Sequence, residues 1–74
     1  MKRKTIGYTI VFDAIPPIPQ RLSVENGKDV LINGAACDIF RTRAQVNRLI
    51  KNSCEVDDLE EWDFTVLRIT EIDW

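Results

Sequence analysis

The chain contains no histidine. That removes the side chain most often used as general base and as metal ligand, and with it the usual serine or cysteine triad. There are only two cysteines, Cys37 and Cys54, which form neither a C-x-x-C pair nor a disulfide framework. Two buried free thiols are expected, with a single bridge between the segment before the helix and the helix end as the alternative. The three glycines are scattered, so no glycine-rich phosphate loop exists. Zinc would have to be held by the two thiols plus carboxylates, an ill-matched set. The acidic run after Cys54 lacks the central glycine of a calcium loop. No stretch approaches the ~18 apolar residues of a membrane span. Met1-Lys2-Arg3-Lys4 is followed by Asp13 and three prolines rather than by a signal-peptide core, so a soluble, cytoplasmic protein is expected. A core this small leaves little room for a pocket of ~300 Å³ or more. The expectation is therefore no enzyme, no cofactor and no metal.

Seventy-four residues, 45% of them apolar, suit one folded domain with one modest core. The net charge of −2 hides an uneven layout. Residues 1–54 carry nine of the ten Lys and Arg against four acids; residues 55–74 carry eight acids and Arg68 alone. Such asymmetry speaks of partners and steering rather than of fold.

Phe40–Cys54 is the one segment with a helical period and a start signal. Thr42 suits an N-cap, and Gln45 three residues on completes a capping box. Val46, Leu49, Ile50 and Cys54 then form one apolar stripe, while Arg43, Asn47, Arg48, Lys51 and Asn52 lie opposite. A helix of about 12 residues is marginal alone, so it needs a sheet to pack on.

The rest reads as strand and turn. Ile6, Tyr8, Ile10 and Phe12 alternate with smaller or polar residues in a strand over 5–15. Pro16-Pro17-Ile18-Pro19 ends it as a stiff connector at the sheet margin. Asn26-Gly27 between 21–25 and 28–32 signals a hairpin with a type I′ turn. In that register Glu25 faces Lys28 and Leu22 faces Leu31, but Val24 faces Asp29, which leaves room for a bulge. Residues 35–40 form a further short strand or the tail of the previous one. In the acidic stretch Glu55–Asp63, Val56, Leu59 and Trp62 are spaced by three, as in a turn of helix facing inward or a loop pinned by Trp62. The strand over 64–72 has apolar residues on both sides, which predicts a central or well-covered strand paired with the first. The sum is an α+β domain of order β-β-β-α-β: a small, mostly antiparallel sheet of three or four strands with one helix on one face. The other sheet face would be bare, with Val11 and some of Phe64, Val66 and Trp74 on it.

Two charged surfaces are the candidates for function. Glu55, Asp57, Asp58, Glu60, Glu61 and Asp63 surround Trp62, which combines steering with an aromatic anchor for a basic protein partner. Arg41, Arg43, Arg48 and Lys51 form the alternative, a face for nucleic acid. A homo-oligomer built on the bare face or an open strand edge is the third reading.

The strand-to-helix join Phe40-Arg41-Thr42-Arg43-Ala44, the helix through Ser53, the acidic Trp-containing linker and the closing Phe64-Thr65-Val66-Leu67-Arg68-Ile69 strand resemble the layout of small phage- and prophage-encoded proteins. The resemblance covers about half the chain. It implies a protein that acts by occupying a partner's surface, as inhibitors of host complexes do, and carries over no site residues.

Overall fold

A computed structural model describes residues 2–73. The elements run β1 (Lys2–Phe12), β2 (Ile18–Glu25), β3 (Lys28–Asn33), α1 (Arg43–Asp57), a 3₁₀ turn (Glu61–Asp63) and β4 (Phe64–Asp73). They form the expected α+β domain: one antiparallel sheet of order β3-β2-β1-β4 with a single helix. Trp74 lies outside the described residues.

The Asn26-Gly27 turn holds. Both residues have positive φ, 51° and 77°, as type I′ requires. The register is unbroken from Gln20↔Asn33 to Glu25↔Lys28. The Val24↔Asp29 pair needs no bulge, because Val24 lies near the hairpin tip, 63% exposed, and loses nothing by facing a carboxylate. β2 begins at Ile18, inside the proline segment; Pro19 pairs with Val11 where β1 and β2 still touch.

Beyond that point β1 and β2 splay apart, and residues 35–40 fill the gap as a strap rather than as a strand. Tyr8 and Phe40 exchange two backbone hydrogen bonds of 2.7 Å. The Asp38 amide donates to Gln20 O at 3.2 Å, and the Asp38 carboxylate accepts from the Leu22 amide at 2.9 Å. The Cys37 thiol donates to Ile10 O at 3.6 Å. Gly7 permits this approach: a Cβ there would stand 2.7 Å from Ile39 Cγ2 and 2.8 Å from Phe40 O.

β4 does pair with β1, from Phe12↔Phe64 to Lys2↔Asp73, with a bulge between Thr5 and Gly7. It is the edge strand of the sheet, however, not a central one. Its apolar side chains are split between two environments. Phe64 is buried, with its ring edge-on to Phe12 at 5.6 Å, and Val66 packs on the core, whereas Leu67 and Ile72 are exposed. Phe64 and Val66 therefore belong to the core side and not to the bare face; Val11, opposite Pro19, does lie on the other face.

The core is Ile10, Leu31, Phe40, Val46, Leu49, Ile50 and Phe64. Thr42 caps α1, its hydroxyl accepting from the Gln45 amide at 3.1 Å. The buried stripe differs from the expected one at its end: Ser53 is completely buried, while Cys54 is only half-buried. Both thiols are free. The helix also runs on to Asp57, into the acidic stretch, and stops where Asp58 takes the left-handed conformation (φ 54°, ψ 43°).

Candidate interaction site

α1 meets the sheet at an edge. In β3, Asp29 and Leu31 point their backbone groups away from β2. The Leu31 amide donates to Ser53 Oγ at 2.8 Å, and Asn52 Nδ2 donates to Asp29 O at 2.9 Å. The Arg48 guanidinium lies 3.6 Å from the Asp29 carboxylate, and Lys28 lies 3.6 Å from Glu55. The helix thus takes the place of a fifth strand and seals this edge.

The acidic stretch is divided among three settings. Glu55 sits on α1 against Lys28, and Asp57 ends the helix. Asp58 caps it, its amide donating to Cys54 O. Glu60 and Asp63 brace the 3₁₀ turn: the Glu60 amide donates to Asp63 Oδ2 at 3.0 Å, and the Asp63 amide returns to Glu60 O at 3.0 Å. The Asp13 amide ties the turn to the end of β1 through Asp63 O at 2.7 Å. Of the three apolar residues expected to face inward, only Leu59 packs on the core; Val56 and Trp62 are exposed, Trp62 by 73%. Trp62 does not pin this turn. Backbone and carboxylate hydrogen bonds pin it, and the indole stands out from it.

The turn's field is negative. Burial first, and then Glu61, Glu60 and Asp63, push the Cys54 thiol above its ordinary pKa. Among the described residues, Asp57, Asp58, Glu60 and Glu61 have no cation within ion-pair distance.

The four cations of the alternative surface do not share one face. Arg48 turns toward β3 and Asp29, and Arg41 is exposed in the approach to α1. Arg43 and Lys51, with Asn47 between them, instead line a groove of about 610 Å³ between α1 and β4. Ile50, Phe64 and Val66 supply its apolar lining, and Glu61 lines it as well. The groove is larger than the small core led one to expect. Arg68, absent from the expected basic surface, lies one pleat beyond Val66 on the same side of β4, opposite Tyr8. A residue-by-residue helix reading cannot see it, because only strand register brings it there.

Among the described residues no group of three or more cysteine and carboxylate side chains is placed to hold a metal ion, and no helix is long and apolar enough to cross a membrane. No family model matches the chain, and neither the curated proteins nor the solved structures yield a match.

Proposed function

We propose that the chain is a non-enzymatic interaction module that docks a larger, basic protein onto the turn carrying Trp62. The observation behind this reading is the pairing of a fixed backbone with a free indole. A turn braced at Glu60, Asp63 and Asp13 loses little freedom when bound, and an exposed tryptophan is the side chain that most often dominates a protein interface. Asp57, Asp58, Glu60 and Glu61 around it steer a cationic surface toward the indole and reject an acidic one. The partner would offer an apolar pocket rimmed by lysine or arginine. A phage-encoded inhibitor that covers part of a host complex would work in this way, by stoichiometric occlusion.

The test is a pull-down on the tagged protein at low and moderate salt, run beside Trp62→Ala and a Glu60→Lys/Glu61→Lys variant. One band at unit stoichiometry, lost in both variants and kept by Arg21→Gln, is expected. A partner retained equally by Trp62→Ala, or no stoichiometric partner at either salt, contradicts the reading.

A further inference from the structure

The two edges of the sheet are treated differently. α1 seals β3 through Ser53 and Asn52, but the same helix stands off β4 across the groove. The outward groups of β4 follow from the hydrogen bonding of Tyr8. Its N–H and C=O both serve Phe40, on the side away from β4. Tyr8↔Arg68 is therefore a non-hydrogen-bonded pair, and the backbone of Arg68 also points outward. Asp63 O, which accepts from Asp13 just past the end of β1, fixes the opposite parity for the odd positions. Val66, Arg68, Thr70 and Ile72 thus present their amides and carbonyls at the free edge. No hydrogen bond reaches them among the described residues.

We propose that the free edge of β4 accepts an extended acidic peptide as a fifth strand, held between β4 and α1. Backbone pairing with Val66 and Arg68 supplies the register, and the Ile50–Phe64–Val66 surface takes an apolar side chain. The sign of the charge comes from Arg43 and Lys51 on the helix wall and Arg68 on the strand. None of the three has an acid within ion-pair distance among the described residues. A nucleic acid strand fits less well: Phe64 is buried rather than offered for stacking, and a phosphodiester backbone has no regularly spaced N–H groups for the outward carbonyls of β4. This site borders the Trp62 turn at Glu61, but it is built from other residues and does not depend on that turn's proposed role.

The probe is a fluorescein-labelled eight-residue peptide alternating glutamate and valine, followed by anisotropy against the full chain. Saturable binding is expected. It should weaken about tenfold or more when the glutamates become lysines, or with Arg43→Gln/Lys51→Gln. Methylating alternate peptide nitrogens, which removes the pairing N–H groups, should weaken it as much. Arg21→Gln/Lys28→Gln, an equal loss of charge elsewhere, should leave it unchanged. Binding indifferent to methylation or to the charge of the peptide overturns the proposal, as does no saturation below about 1 mM. Tighter, salt-sensitive binding of a single-stranded oligonucleotide would assign the groove to nucleic acid instead. Sedimentation showing β4 already occupied by a second copy would also overturn it.

Discussion

Ser53 Oγ stands 2.8 Å from the Leu31 amide and 2.7 Å from the Leu49 carbonyl, accepting from the strand and donating to its own helix. One hydroxyl, wholly buried, thereby joins the edge of the sheet to the turn below it. Ser53→Ala removes both bonds and leaves a buried amide with no partner. We expect a loss of about 1–3 kcal/mol in urea unfolding, with the slope unchanged.

Gly7→Ala tests the strap. The new methyl would meet Ile39 Cγ2 and Phe40 O at less than 3.0 Å, and Phe40 O is backbone held by Tyr8. The strap must shift, so about 1–3 kcal/mol of stability should go. The Tyr8 and Phe40 amides should lose exchange protection together.

Asp58→Gly should stabilise. Asp58 ends α1 in the left-handed region, where a Cβ is costly and glycine is at ease. A gain of about 1 kcal/mol or less is expected in thermal unfolding. A loss would mean that the carboxylate does more than cap.

Cys54 should react slowly. Its thiol pKa is raised by burial and by Glu61, Glu60 and Asp63, so less thiolate is present near neutrality than for a free cysteine. Iodoacetamide labelling of Cys54 should lag behind that of the unfolded chain, and Glu60→Gln/Glu61→Gln should speed it. The same shift sets a sign for stability. The folded state holds the thiol proton more tightly, so this contribution is present below the unfolded pKa and is lost as pH climbs through the raised one.

The sequence carried the architecture because its signals were local. Alternation in β1 and β4, Asn26-Gly27 and the Thr42 cap each act within a few residues. The turn, the cap and β4 are where they were expected, whereas β1 covers Lys2–Phe12 rather than 5–15 and stops before the prolines. What it hid were relations between distant segments. Ser53 reads as a polar helix residue, and nothing nearby reveals that Leu31 needs its oxygen. Residues 35–40 look like strand, but whether β1 and β2 splay to admit them depends on the curl of the whole sheet. The two-sided apolar pattern of β4 suggested a central strand. In fact one face packs at Phe64 and Val66, and Leu67 and Ile72 stay exposed at an edge. The acidic site was legible as composition. Its division into a helix end, a cap and a braced turn was not, since Val56 and Trp62 fit an inward period that the helix stop at Asp58 interrupts.

The account rests on a helix that closes one edge of the sheet and leaves the other open for a partner. Amide hydrogen exchange on the isolated protein reads both edges at once. It should find Leu31 protected along with Thr65, Leu67 and Ile69, which face β1, and Val66, Arg68 and Thr70 exchanging much faster. Leu31 exchanging freely, or no alternation along β4, would contradict it.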